Sequence, residues 1–280
     1  MILVDFSHTV ISTLMAEIKG QKDIEVDEEL MRYMIINCIL SYKKKFSKKY
    51  GQLVLATDSR VPSWRKEAFP YYKANRKKDR DNSGIDWKSI FDIMRLVSLE
   101  ISESFPYPVL SVDGAEADDI IAVMAKWQAS KNPDSPFLII SGDQDFLQLQ
   151  KYKTVEQYAP VTKKMLREND PENYLYEHIM RGDFGDGVPN VLSTDDCLVS
   201  GVRQKPITAI RLAEWKKTDL NLLENYQRNK RLIDFSEIPE SIESQIINSF
   251  VMQPDKDRSK LYDYFMKHRM KQLLIQIEDF

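Results

Sequence analysis

The sequence predicts an α/β fold, a mainly parallel sheet flanked by helices, followed by a mostly helical C-terminal region. Three observations predict it. Short apolar runs recur at 2–5, 53–57, 109–112 and 137–141, and each ends in or is soon followed by carboxylates. Between the runs lie amphipathic stretches with apolar residues at helical spacing, and such alternation marks parallel strands joined by helical crossovers. From about residue 172 the strand signals give way to helical ones.

The elements follow in order. Residues 2–5 form a strand, and a helical pattern runs near 9–19. Residues 27–48 read as a longer amphipathic helix carrying Leu30, Met34, Ile35, Cys38 and Ile39. A strand at 53–57 leads to residues 62–80, which are basic and aromatic and fit neither period. A helix near 86–104 carries Ile90, Phe91, Met94, Val97 and Ile101. A strand at 109–112, a helix at 116–130, a strand at 137–141, a short helix at 143–150 and a strand at 155–158 complete the series. Further on, turns are expected at 182–189 and 201–206, residues 207–226 are amphipathic, and Pro239 and Pro254 break the later helices. No repeat or low-complexity linker intervenes, so the division expected is 1–181 for the α/β part and 182–280 for a helical part packed directly on it.

Four acidic groups sit where a strand ends: Asp5; Asp58; Glu116, Asp118 and Asp119; Asp143 and Asp145. A fifth, Asp183 and Asp186, lies in Arg181-Gly182-Asp183-Phe184-Gly185-Asp186. A parallel sheet brings the carboxyl ends of its strands to one edge, where ligands bind. The carboxylates should therefore converge, and hard oxygen donors held together select Mg²⁺ or Mn²⁺. One Asp at a strand end is more often a turn former or helix cap. Asp113 with Glu116, and Ser141 with Gln144, each resemble a capping box. Four groups at one structural position, with a fifth beyond, argue against separate caps. Two cations about 3.5–4 Å apart can serve the attacking and leaving oxygens of a phosphodiester. His8, His178 and His268 lie in unrelated contexts and read as surface or structural residues. No Ser-His-Asp set or P-loop is present.

With 280 residues and 42% hydrophobic content the chain can bury a sizeable core, and its net charge of −3 names no partner. The distribution of charge says more. Residues 60–80 hold Arg60, Arg65, Lys66, Lys73, Arg76, Lys77, Lys78 and Arg80. Further basic runs lie at 43–49 and 228–231, and the first of these reads equally as a polyanion contact or a solvated helix face. Acidic groups amid basic patches suit an enzyme that grips a polyanion. Cys38 and Cys197 offer no disulfide framework or zinc spacing. Asp5 interrupts the N-terminal apolar run, so no signal peptide is expected, and no stretch is apolar enough to span a membrane. A reducing cytoplasm is the expected setting, that of a host cell if the chain is phage-encoded.

Trp64-Arg65-Lys66 and the segment from Phe69 to Lys78 mix cations with aromatics directly after Asp58. Cations neutralise phosphates and rings stack on bases at roughly 1–3 kcal/mol each, so the stretch reads as a single-strand clamp, ahead of the alternative of an amphipathic segment whose rings pack into the core.

Together these residues resemble the 5′-nuclease superfamily of flap endonucleases and polymerase-associated 5′ exonucleases. The motifs occur in order: Asp5 and Asp58 at strand ends, Tyr-Lys-x-Asn-Arg at 72–76, Glu-Ala-Asp-Asp at 116–119, Ser-x-Asp-x-Asp at 141–145 and Gly-Asp-x-x-Asp at 182–186. Within it the chain is similar to the branch formed by the ribonucleases H of T-even-like bacteriophages, through Leu3-Val4-Asp5-Phe6-Ser7, Tyr71-Tyr72-Lys73, Leu232-Ile233-Asp234-Phe235 and Ile277-Glu278-Asp279-Phe280. The resemblance implies a PIN-like nuclease core, a helical arch at about 60–85 and a helix–three-turn–helix-like element in 182–280. It implies a monomeric 5′→3′ exonuclease and flap endonuclease that uses two Mg²⁺, or Mn²⁺ in their place. Its substrates would be DNA and RNA–DNA duplexes with 5′ ends, flaps or forks, and it would remove RNA primers and adjacent DNA from lagging-strand fragments. Asp5, Asp58, Glu116, Asp118, Asp143 and Asp145 would hold the cations directly or through water, and Asp119, Asp183 and Asp186 would complete the second site. Lys73 would act with Asp143 and Asp145 in catalysis. Tyr72 would stack on the 5′ nucleotide. Arg65, Lys66, Arg76, Lys77 and Lys78 would line the strand path, and Arg203 and Lys205 would meet the duplex.

The family pattern Gly-Asp-x-x-Asp-Asn-x-Pro-Gly is broken here, with Gly187 for the Asn and Asn190 for the second Gly. The hairpin at 200–205 lacks Gly-x-Gly, which argues against a potassium site. The chain begins at its first strand, so an N-terminal partner-binding tail is not expected and a sliding clamp would be met elsewhere. The resemblance further implies that the helices of 262–280 could contact a single-strand DNA-binding protein. Two rival readings remain: a metal phosphohydrolase for small phosphoesters, and a non-catalytic DNA-binding module of the same fold.

Overall fold

The computed structural model describes residues 1–17, 27–216 and 224–280. Its centre is a six-stranded sheet in the order β3-β2-β1-β4-β5-β6. The strands are β1 (Ile2–Asp5), β2 (Leu53–Ala56), β3 (Val109–Leu110), β4 (Phe137–Ile140), β5 (Val155–Ala159) and β6 (Lys164–Leu166). The first five are parallel, and β6 closes one edge antiparallel to β5. β1 pairs with β2 and β4, Asp5 opposite Ala56 and Val4 opposite Ile140. That register brings Asp5, Asp58 and the start of the 141–145 turn to one edge. Strands covered on both faces need apolar residues throughout, which explains the continuous runs.

The crossovers are helical. α1 (Phe6–Glu17) starts directly after Asp5, three residues earlier than the sequence pattern indicated, and Ile18 and Lys19 lie outside the described residues. α2 (Glu28–Tyr50) is capped by Asp27, whose side chain accepts from Leu30 N, and stops at Gly51, φ 81°. The basic-aromatic segment folds as α3 (Trp64–Ala68) and α4 (Asn75–Asp81), separated by a turn with Lys73 at φ 56°. α5 (Trp87–Ser104) and α6 (Ala117–Lys131) follow. The helix expected at 143–150 is a 3₁₀ helix, Gln144–Lys151. Beyond it come α7 (Pro171–Arg181), α8 (Cys197–Ser200), α9 (Ala209–Trp215), α10 (Glu224–Ile233), α11 (Glu240–Val251), α12 (Leu261–Lys267) and α13 (Lys271–Leu274). Part of the amphipathic stretch at 207–226, residues 217–223, lies outside the described residues.

Alternate residues of each strand feed two cores. Ile2, Val4, Leu53, Leu55, Leu138 and Ile140 face α1, α2 and α5, and this core is closed by Leu261, Phe265 and Phe280. Leu3, Val54, Ala56, Phe137 and Ile139 face α6, with Phe235, Ile242 and Ile246 alongside. Residues 235–280 thus return to the sheet and cover both of its faces.

Both expected capping boxes are displaced. Asp119 Oδ2 accepts from Glu116 N at 3.0 Å, so Glu116 rather than Asp113 is the N-cap of α6. The 3₁₀ helix is capped by Asp143, which accepts from Asp145 N, and not by Ser141. In each case helical geometry begins later than the Gly-containing turn suggests. The lysines of 43–49 are largely occupied within the chain: Lys44 pairs with Asp279 at 2.7 Å, Lys45 lies 4.2 Å over the Tyr158 ring and Lys49 pairs with Glu156. Cys38 and Cys197 are free thiols. No helix of the described residues is long and apolar enough to cross a membrane.

Candidate metal centre

Asp5, Asp58, Asp118 and Asp143 line a cleft of about 1000 Å³ at the carboxyl edge of the sheet, together with Lys73, Arg76 and Arg80. Each strand end delivers its acid by a local device. Asp5 ends β1, and its oxygens accept from His8 N and Ser141 Oγ, both at 3.0 Å. Asp58 follows β2 and accepts from Ser7 Oγ at 2.7 Å and Ala117 N at 3.0 Å, which ties β2 to the start of α6. Asp118 is in the first turn of α6 and Asp143 caps the 3₁₀ helix.

The crowding is expressed in the acidities. Burial, then the charges of Asp58 and Asp143, push Asp5 up to about 7 against the pull of its donors. Burial, then Asp143 and Asp5, hold Asp118 well above the carboxylate range. Burial and the charge of Asp143 push Asp145 up to about 8, with His178 opposing. Carboxylates packed so that they resist ionising are a donor set lacking counter-charge, and divalent cations fit that need.

The remaining acids fall into two settings. Asp145 and Asp183 converge with His178, their three ligand atoms all within 4.8 Å of one another. Nε2 of His178 lies 3.2 Å from Asp145 Oδ1 and 3.5 Å from Asp183 Oδ2. Burial lowers this imidazole, but the adjoining Asp183 and the charge of Asp145 more than offset it, so it titrates above its ordinary value. Burial would raise Asp183, and His178 with two backbone donors draws it down instead. Glu116 and Asp186, by contrast, are already engaged by cations. Lys73 Nζ is 2.6 Å from Glu116 and 3.7 Å from Asp186, and Arg76 pairs with Asp186. The Tyr72 hydroxyl is 2.8 Å from Glu116 and 2.7 Å from Asp186. Burial pulls the Lys73 ammonium down, but Asp186 and Glu116 outweigh it and keep it charged.

Asp119 stands apart. It is fully enclosed, paired with Arg65 at 2.8 Å and with the indole N–H of Trp64 at 3.1 Å. Arg65, expected along the strand path, is 2% exposed, and its guanidinium also donates to Leu232 O and meets Glu116. It faces the interior because Asp119 needs a charged partner there. The Tyr72 ring is likewise 2% exposed, with no face open to a base. Arg76 and Lys66 remain on the surface, Arg76 at the cleft and Lys66 outside its lining. Lys77 and Lys78 lie on α4 with side chains outside the described ones. Arg203 and Lys205 are exposed but do not line the cleft.

Turn 71–76 is docked on loop 183–188. Lys73 N donates to Asp186 O at 2.7 Å, Asn75 Nδ2 to Phe184 O at 2.8 Å and Arg76 Nε to Gly185 O at 3.0 Å. Gly187, φ 71°, lies where a Cβ would be 2.9 Å from Tyr71 O, so the departure from Asn at this position matches a close approach. Asn190 is also explained: it donates to Lys205 O at 2.7 Å and accepts from Leu192 N and Ser193 Oγ, fastening 189–193 to 204–205.

Of the candidate group formed by Asp145, His178 and Asp183, His178 is the member that sequence reasoning missed. Its only signal was position, five residues before Asp183 in the last turn of a helix stopped by Gly182.

Residues 3–178 match the family described as the 5′-3′ exonuclease, N-terminal resolvase-like domain, and residues 170–280 match T4 RNase H, C terminal. The ribonuclease H of Enterobacteria phage T4 is 31% identical, over 99% of this chain and 95% of its own. A thermostable DNA polymerase I of Thermus filiformis is 33% identical over 66% of this chain, which spans 21% of that polymerase. Among solved structures, the T5 5′-exonuclease with zinc bound superposes with a TM-score of 0.63 at 15% identity, covering 90% of this chain and 98% of that one. A T5 flap endonuclease complex with DNA and metal ions superposes equally, TM-score 0.63, at 16% identity over 89% and 97%. At that identity the likeness concerns the fold.

Proposed function

Because the chain belongs to the 5′-3′ exonuclease family, within the 5′-nuclease superfamily, we propose that it is a Mg²⁺-dependent 5′→3′ exonuclease and flap endonuclease that removes RNA primers and adjacent DNA from lagging-strand fragments. The observation that carries the reading is the convergence of Asp5, Asp58, Asp118 and Asp143 in one cleft also lined by Lys73, Arg76 and Arg80. A small phosphoester would have no need of cations extending from the carboxylates onto α4.

Two cations fit the residues present. Asp5, Asp58, Asp118 and Asp143 would hold one, and Asp145 with Asp183 the other. Bound there, divalent cations would lower the pKa of water and neutralise charge on the leaving oxygen. The chain supplies the rest. Lys73, kept charged by Glu116 and Asp186, would present its ammonium to the scissile phosphate. Tyr72 and Asp186 would position Lys73, and Asp119 with Arg65 would position Glu116. Arg76 and Arg80 would guide the 5′ strand beneath an arch built from α3 and α4, and Lys66, Lys77 and Lys78 would extend its basic lining. Arg203 and Lys205, fastened by Asn190, would meet the duplex backbone. That grip falls to residues 182–234, since those after them cover the sheet.

The test uses a duplex carrying a 5′-labelled RNA–DNA strand and a matching 5′-flap substrate, with Mg²⁺, with EDTA, and with Asp143→Asn. Short 5′ products that need Mg²⁺ and vanish in the variant, with binding retained, are expected. Undiminished turnover by Asp143→Asn would remove that carboxylate from the mechanism, and turnover of small phosphoesters alone would favour the rival phosphohydrolase.

A further inference from the structure

We propose that His178 is a nitrogen ligand of the second cation site, completing it with Asp145 and Asp183, and that this site consequently favours later first-row ions such as Zn²⁺ and Co²⁺ over Mg²⁺. The inference rests on reading the cleft as a cation-dependent nuclease centre.

Three features support it. First, the ring is held in place. It stacks on Tyr174 at 5.8 Å and 24°, and His178 O accepts from Gly182 N at 2.9 Å where α7 ends. Gly182, between the end of α7 and Asp183, cannot carry a side chain, since a Cβ there would sit 2.4 Å from Val188 O. Secondly, Nε2 is buried and makes no well-directed hydrogen bond, although two carboxylates lie within 3.5 Å of it. A proton can point at only one oxygen, whereas a cation can be shared by all three donors. The nitrogen's separations from the two carboxylates, 3.2 and 3.5 Å, suit ligand atoms about 2.0–2.2 Å from a common ion. Thirdly, the donor chemistry differs between the two groups of acids. Asp5, Asp58, Asp118 and Asp143 offer oxygen only, the choice of Mg²⁺, whereas imidazole nitrogen draws the later ions. The protein would then hold two cation sites of different preference.

The test is binding, read without turnover. Mn²⁺ is the spectroscopic probe: pulsed EPR of the loaded wild-type protein should show ¹⁴N coupling that changes on ¹⁵N-histidine labelling. His178→Ala should abolish the coupling, and His8→Gln, which alters the histidine lining the carboxylate cleft, should retain it. In calorimetric titrations His178→Ala should weaken Zn²⁺ at one site by roughly tenfold or more, with Mg²⁺ affected far less. Bound Mn²⁺ without nitrogen coupling, coupling lost in His8→Gln instead, or unchanged Zn²⁺ affinity in folded His178→Ala would overturn the inference while leaving the carboxylate reading intact. A wild-type protein that takes up no divalent ion would overturn both. If His178→Ala does not fold, the labelling result on the wild-type protein decides.

Discussion

Arg65 and Asp119 form a charge pair with both side chains at most 3% exposed. Removing one partner of such a pair strands the other in a medium that cannot solvate it, at about 3–5 kcal/mol. Arg65→Ala should therefore lower unfolding stability by that amount in urea titrations, and a loss below about 1 kcal/mol would mean Asp119 finds another partner. Lys73 is the contrasting cation, charged and at the cleft. Lys73→Ala should slow single-turnover cleavage roughly 10²–10³-fold with little change in substrate affinity, and an unchanged rate would end its assigned role. Glu100 makes a prediction in pH. Burial would raise its pKa, but hydrogen bonds from Arg32 and Tyr264 outweigh that and leave it below the ordinary value. Its folded pKa being the lower one, its contribution is complete above the ordinary glutamate value and is lost as pH falls through the folded value. Glu100→Gln should flatten the acid limb of the stability curve, measured by thermal melts from pH 6 down to about 3.

At the scale of the element, the strands were readable because a sheet covered on both faces leaves no choice but apolar residues. β6 was not, since Lys164 and Met165 of this edge strand are exposed and carry no such pattern. The carboxylates were readable for a related reason: only Asp and Glu can do their work, and strand ends place them. Which face of 62–80 turns inward was not readable. Trp64, Arg65 and Tyr72 have the composition of a nucleic-acid surface, and they are buried because Asp119, Glu116 and Asp186 wait beneath them. His178 was missed because its partners come from a strand end and a loop that only the fold brings together. The docking of turn 71–76 on loop 183–188 leads to a further prediction. Gly187→Ala adds a Cβ 2.9 Å from Tyr71 O at φ 71°, which should cost about 1–3 kcal/mol and displace Lys73. Cleavage should fall more than binding, and a variant with full activity and an unshifted melting temperature would show that the turn can retreat.

At the scale of the whole molecule, the two cores differ in where their parts originate. One face of the sheet is closed by Phe280, which is 1% exposed with its ring 5.2 Å from Phe265 and 5.7 Å from Phe105. Phe280→Ala should destabilise by about 3–5 kcal/mol, seen in the melting temperature, while divalent-ion affinity in the folded protein stays the same. The arrangement also has a temporal side. Ile2 and Val4 begin the core that residues 261–280 complete. A ribosome adding about 5–20 residues per second leaves the first strand waiting on the order of tens of seconds for its last neighbours. During that interval the nascent chain presents a half-covered sheet to the surrounding solution. Holding chaperones should therefore engage this polypeptide until residues 261–280 have emerged, and faster elongation should shorten its period of vulnerability to aggregation.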